Sequence, residues 1–227
     1  MDLKEDKKAA FQPLDKKIQR SIEVILEAEK RFGKEGVAVA WTGGKDSTTV
    51  LSLVRTVYRG GLPFRVVSVE THEMPKEVYE FRDRLSREWN FTPIMLKDAG
   101  AKKVVDAETV CRSFPKTEAL EEGMKGRGIK ALLTGIRWDE HPSRAEAKYF
   151  SGDEGLAEVN PLLHFMEKDV WNYIRDNAIP YCGLYDKGYR SLGCAPGTAA
   201  QVSVGERGDK AADREKIIEN LKELGYF

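Results

Sequence analysis

The sequence predicts an α/β fold: a doubly wound, mostly parallel sheet with a C-terminal loop and helix appendage. Three observations carry that prediction. Short apolar, β-branched runs alternate with longer stretches of helical periodicity, the pattern of successive βα units. The first run, Val37-Ala38-Val39-Ala40, passes through Gly43-Gly44 straight into a helical pattern of Val50, Leu51, Val54 and Val57. Polar loops follow the first, second and fourth strands, where open parallel sheets hold their ligands.

Taken in order, residues 1–13 form a charged, loose arm ending at Pro13. Leu14, Ile18, Ile22, Ile25, Leu26 and Phe32 trace one face of a helix that Gly33 stops. After the first strand and its helix, which Gly60-Gly61 ends, Phe64 to Glu70 reads as the second strand. Lys76 to Trp89 is an amphipathic helix, and Pro93 to Leu96 a short third strand. Lys97 to Val110 fits neither period. Pro115 suits the first turn of a further helix, broken at Gly126 to Gly128. Ala131 to Thr134 is the fourth strand, Gly135 to Arg144 a polar loop, and Ser151 to Gly155 a turn. Val159 to Leu163 is a fifth extended segment and Glu167 to Asn177 a helix. From Ile179 the chain turns rich in Gly, Pro and Tyr, as an active-site loop does, and Asp209 to Leu224 is a last helix. The expected organisation is an arm and helix (residues 1–32), a nucleotide-binding α/β domain (33–178) and a C-terminal active-site loop and helix (179–227).

The 227 residues suit one such domain, and 41% hydrophobic content supplies a core. Acids and bases balance at 37 each, so no net field draws in nucleic acid or a membrane surface. The charged start carries no signal-type apolar stretch, and three widely spaced cysteines fit a reducing compartment. A cytoplasmic location is expected.

A strand that turns through glycines into a helix aims backbone N–H groups and the positive helix end at one point, which makes an anion site. Trp41-Thr42-Gly43-Gly44-Lys45-Asp46-Ser47 is that turn; it meets neither the Walker spacing nor G-x-G-x-x-G. It resembles the pyrophosphate-binding loop S-G-G-x-D-S of the ATP pyrophosphatases, with Thr42 keeping the first hydroxyl. Further on, Lys116-Thr117-Glu118 with Leu120, Gly135-x-Arg137-x-Asp139-Glu140-x-x-Ser143-Arg144, and Tyr189-Arg190-Ser191-Leu192-Gly193-Cys194-x-Pro196-x-Thr198 add to the likeness. With these, the chain resembles the phosphoadenylylsulfate (PAPS) reductase superfamily, whose fold is adenine nucleotide alpha-hydrolase-like. The segments are most similar to the small subunit of sulfate adenylyltransferase. Trp138 stands where that group commonly has arginine, Glu70 replaces an aspartate, and insertions near residues 151–157 and 185–188 are lacking.

The resemblance implies ATP as substrate with Mg²⁺, adenylyl transfer to sulfate releasing pyrophosphate, and a GTPase partner subunit or a homodimer. Gly43, Gly44 and the hydroxyls of Thr42 and Ser47 would cradle phosphates, with Lys45 as a point charge and Asp46 as the Mg²⁺ ligand. Arg137 and Arg144 either clamp a tetrahedral dianion or form surface ion pairs with Asp139, Glu140 or Glu146. Lys116 is a phosphate contact or a solvated helix lysine. Glu70, with Thr71 and Gly135, lies where a ribose or base would pass. Trp41 joins the nucleotide-binding set by position, although its ring reads as core or rim. His72, His141 and His164 form no metal spacing, and His164 is expected at the surface.

Two alternatives remain open: a sulfonucleotide (PAPS or adenylylsulfate) reductase working with a thiol partner, and a non-catalytic adenylylsulfate-binding module. The cluster-bearing reductases use Cys-Cys and C-x-x-C; here those places read Val110-Cys111 and Cys194-Ala195-Pro196-Gly197, so no iron–sulfur cluster is expected. Cys194 is the possible thiol for a reductase.

Overall fold

The computed structural model describes residues 7–70, 74–97, 123–152 and 155–192. Helix α1 spans Leu14–Phe32 and strand β1 Val37–Ala40, followed by α2 (Lys45–Val57), β2 (Arg65–Glu70), α3 (Lys76–Glu88) and β3 (Ile94–Lys97). Then come β4 (Ala131–Leu133), the short β5 (Phe150–Ser151), β6 (Ala157–Val159) and α4 (Glu167–Asp176). The six strands lie in the order β3-β2-β1-β4-β6-β5. All neighbours pair in parallel except β5, which runs antiparallel to β6.

The two-residue period of β1 separates the sheet's faces. Val37, Val39 and Trp41 join a large apolar cluster with Val24 and Ile25 of α1, Val50 and Val54 of α2, Phe81 of α3 and Val170 of α4. Ala38 and Ala40 face the other way, against Val67, Leu96, Met124, Ile129 and Leu132. Buried on both sides, β1 needs apolar residues at every position, which explains its unalternating sequence. Helix α2 is buried at Lys45 and from Ser47 through Val54, so its hydroxyls bond inside the fold. Thr48 accepts from the Trp41 indole at 3.1 Å, and Ser52 meets the Tyr173 hydroxyl at 3.1 Å.

Several expectations need correction. Leu26 is 45% exposed; the inner face of α1 is Lys17, Ser21, Val24, Ile25 and Ala28, because two polar side chains there find buried partners. The arm is anchored where it is described: Lys7 is buried and pairs with Glu146 at 3.4 Å, and Ala9–Phe11 form a 3₁₀ turn. The fifth extended segment begins earlier, at Ala157, and stops at Val159, since Asn160 to Phe165 fold into turns closed by backbone bonds. The antiparallel β5 went unpredicted, being only two residues long. His164 is fully buried rather than at the surface. The helix expected after Pro115 up to residue 122, the segment from Lys97 except its first residue, and the last helix lie outside the described residues.

Candidate functional site

The strand order fixes where a site can form. From β1 the chain travels outward through β2 to β3, then returns to place β4 on the other side of β1. Loops leaving two adjacent strands in opposite directions leave a crevice at their carboxyl ends. Here the loops are Thr42–Ser47 after β1 and Gly135–Arg144 after β4, the two stretches with the densest polar motifs.

Gly43 has φ +86° and turns the chain at the cost of no side chain; a Cβ there would meet the Arg82 stem at 3.0 Å. Gly135 is required by proximity: a Cβ would lie 2.9 Å from the Asp46 carbonyl carbon and the Ser47 nitrogen. That contact seats the β4 loop on the N-terminus of α2. Within the turn, the Thr42 N–H donates to Ser47 Oγ at 3.3 Å, and Ser47 Oγ donates to the Gly44 carbonyl at 3.1 Å. Thr42 itself is exposed and Gly44 half-buried, so the turn keeps a solvent side.

Charged side chains converge beside it. Asp46 pairs with Arg137 and, at 3.2 Å, with Lys45. Burial alone would raise the Asp46 carboxyl; the Arg137 and Lys45 cations outweigh it and hold the group below its ordinary value. Arg137 is fully buried and also donates through Nε to Asp139 at 2.9 Å. Asp139 in turn accepts from the Glu167 N–H at 2.8 Å, capping α4. Glu167 pairs with Arg190 at 2.5 Å. Over the turn lies the segment from Tyr185 to Arg190: the Lys45 N–H donates to the Tyr185 hydroxyl at 2.8 Å, and Lys45 Nζ to the Arg190 carbonyl at 3.1 Å.

Of the residues expected from sequence, Thr42, Gly43, Gly44, Lys45, Asp46, Ser47, Gly135 and Arg137 meet at this crevice. Trp41 does not offer its ring: it is fully buried against Phe81 and Phe91. Arg137 and Arg144 both form the ion pairs weighed against an anion clamp, yet buried rather than at the surface. Arg144 is held by Glu140, itself buried. Glu70 ends β2 beside Lys97, one strand from the loop. Thr71, His72, Lys116, Cys111 and Cys194 lie outside the described residues, as does the side chain of Glu70. Cys182 is a buried small hydrophobe whose thiol burial pushes upward in pKa, so it is no nucleophile. Trp138 is core as well, donating to the Ala147 carbonyl at 2.9 Å.

Tyr185 and Glu167 entered the site unannounced, while the sequence named Asp139 only as a motif member and ion-pair partner, and Arg190 only as a motif member. Only the Gly- and Tyr-rich composition after Ile179 hinted at Tyr185.

Asp46 is a poor Mg²⁺ ligand in this arrangement, since its carboxylate is already engaged by two cations. Among the described residues no group of three or more His, Cys, Asp or Glu side chains could hold a metal. No described helix is long and apolar enough to cross a membrane. A cavity of about 640 Å³ lies elsewhere, at α3 and the entry to β3, lined by Tyr79, Arg82, Arg87, Asn90 and Met95 among others; none of the loop residues lines it.

Comparison with known proteins gives this geometry a setting. The family model for the phosphoadenosine phosphosulfate reductase domain matches residues 36–200. The adenosine 5′-phosphosulfate reductase of Allochromatium vinosum is 29% identical over 188 residues, covering 76% of this chain and 71% of that protein. The chloroplastic 5′-adenylylsulfate reductase 1 of Arabidopsis thaliana is 28% identical over 84% of the chain, which spans only 45% of that protein. Among solved structures, the phosphoadenylyl-sulfate reductase of Candida auris, a phosphate complex, aligns with a TM-score of 0.60 at 24% identity, covering 79% of this chain and 90% of that one. The FMN adenylyltransferase of Candida glabrata in complex with ATP shares the fold, with a TM-score of 0.64 at 17% identity over 97% and 88% of the two chains.

These matches overturn adenylyl transfer from ATP to sulfate as the expected reaction. Bacterial relatives at 25–29% identity are named adenosine 5′-phosphosulfate reductase, which points to sulfonucleotide reduction. Nor is kinship to the adenylyltransferase small subunit shown. The physical reason is plain: an amide-and-lysine cup recognises phosphoryl oxygens and carries no information on which bond of the nucleotide breaks.

Proposed function

Since the chain belongs to the phosphoadenosine phosphosulfate reductase domain family, we infer that it binds an adenylylsulfate nucleotide at the Thr42–Ser47 turn and takes part in reducing it to sulfite. The observation that carries this reading is the convergence of Lys45 and Arg137, both buried, on a glycine turn at the sheet's switch point. The turn's amides, the positive end of α2 and the Lys45 charge suit anionic oxygens. Arg137, fixed by Asp46 and Asp139, holds the β4 loop against the turn. The work of these groups is to orient the nucleotide and to favour charge leaving on its phosphate.

Reduction of the sulfo group takes two electrons. A thiolate attacks sulfur, the S–O bond to the nucleotide breaks, and the nucleoside phosphate leaves with that electron pair. A second thiol then attacks the sulfo-bearing sulfur, forming a disulfide and releasing sulfite. A thioredoxin-like dithiol partner supplies the reducing thiols, and Cys194 is the residue of this chain proposed to take part.

The test is sulfite release from adenylylsulfate and from its 3′-phosphorylated form with a thioredoxin-like reductant. Release from either, lost in Cys194→Ser, is expected; a protein that binds neither nucleotide refutes the reading. Tight binding without turnover would instead indicate a nucleotide-binding module, a reading favoured by the incomplete cysteine pairs at Val110-Cys111 and Cys194-Ala195-Pro196-Gly197.

A further inference from the structure

The segment over the turn supplies a feature that anion binding does not require. Lys45 opens α2, so its N–H is one of the helix donors left without an intrahelical acceptor. That N–H is taken by the Tyr185 hydroxyl at 2.8 Å, and the ammonium of the same residue by the Arg190 carbonyl at 3.1 Å. The hydroxyl also lies 3.6 Å from where a Gly44 Cβ would stand, so it sits on the mouth of the turn. Both oxygens are neutral, and both come from one short strap with Gly188 at φ +89° between them.

We propose that Tyr185 is an internal placeholder: its hydroxyl occupies the Lys45 N–H, while the Arg190 carbonyl shares the Lys45 ammonium with Asp46, until an anionic ligand displaces the two strap oxygens. This rests on the anion-site reading of the turn. At the Lys45 N–H the exchange is favourable because a hydrogen bond to an anionic oxygen is about twice as strong as the neutral one to the Tyr185 hydroxyl that it replaces. The Tyr185 end of the strap can move at modest cost, since the Lys187–Glu77 pair there, at 3.0 Å, is solvent-exposed, whereas Arg190 is held by the less exposed Glu167 at 2.5 Å. In the closed form the strap shields the buried lysine; in the liganded form Tyr185 gives up its contact and the ring shifts. Trp171 will report the shift, as its ring stands edge-on to Tyr185 with centroids 5.1 Å apart.

The experiment measures binding of inorganic pyrophosphate and of adenylylsulfate by calorimetry, alongside tryptophan fluorescence, for the native protein, Tyr185→Phe and Trp171→Phe. Tyr185→Phe keeps the ring and removes the competing oxygen, so both ligands are expected to bind roughly three- to tenfold tighter. The fluorescence change should vanish in Trp171→Phe while its calorimetric binding persists. Equal or weaker binding by Tyr185→Phe overturns the proposal, as does a fluorescence response that survives loss of Trp171. Tightened pyrophosphate binding with no adenylylsulfate binding upholds the placeholder and removes the sulfonucleotide reading. Failure of both ligands on both Tyr185 forms removes the two together.

Discussion

Two networks of buried charge among the described residues are built differently. Between α1 and α4, Lys17 pairs with Asp169 at 2.5 Å, both almost fully buried. Asp169 also accepts the Met166 N–H at 2.8 Å. His164 donates through Nε2 to the Lys17 carbonyl at 2.8 Å, and the Tyr149 hydroxyl donates to its Nδ1 at 3.0 Å. Ser21 closes the group by donating to the Pro161 carbonyl at 2.8 Å. At the crevice, by contrast, Arg137 and Lys45 are buried but their carboxylate partners keep a wet edge, Asp46 at 20% and Asp139 at 30% exposed. The first network joins two helices and is enclosed, with Lys17, Ser21, Tyr149, His164 and Asp169 all buried. The second joins loop tips, where a carboxylate can turn to water when its cation is taken. Buried charge by itself therefore marks no function; what distinguishes the crevice is a graded arrangement facing a switch point.

Removing one partner of the closed network is the strongest way to break the contrast. Asp169→Ala leaves Lys17 charged and enclosed, with an expected loss of about 3–5 kcal/mol in urea unfolding. Nucleotide affinity per folded molecule should not change. If the loss were under 1 kcal/mol, this network would be no more closed than the crevice.

Acid should probe the same network. Burial, then the Lys17 and Arg20 cations, push the His164 imidazole down to about 4. Its folded value lies below its unfolded one, so the unfolded chain binds the extra proton between the two. The stability due to neutral His164 is complete above about pH 6.5 and is lost as pH falls toward 4, on the order of 3 kcal/mol. Unfolding measured across that window in the native protein and in His164→Gln should show the steeper slope only in the former.

At the crevice, Arg137→Met is expected to cost less stability, about 1–3 kcal/mol, because Asp46 and Asp139 can be rehydrated. Nucleotide affinity should fall roughly tenfold or more as the β4 loop loses its tether to the turn. Calorimetry on the folded variant decides; unaltered affinity would detach Arg137 from the site. Smallest of all, Leu26→Gln on the outer face of α1 should shift stability by no more than about 0.5 kcal/mol. A larger effect would mean that this face is covered.

Local pattern was enough for the order and kind of most described elements. Glycine turns and apolar periods fixed β1, α2, β2, α3, β4 and α4 within a residue or two, because each signal is written in neighbouring positions. The glycine turn was legible for the same reason: Gly43 must adopt a positive φ and Lys45 must open a helix, and both demands fall inside Thr42–Ser47. Partners were not legible. Asp46 meets Arg137 across 91 positions and Lys45 meets Tyr185 across 140, separations at which no local period survives. His164 looked like a surface residue because burial of an imidazole depends on Tyr149 and Lys17 arriving from other elements. So the chain announces the glycine turn at the first strand–helix corner through its local backbone demands. Which charges surround that corner, and which oxygens hold its donors, follows only from loops that the parallel sheet brings to one end.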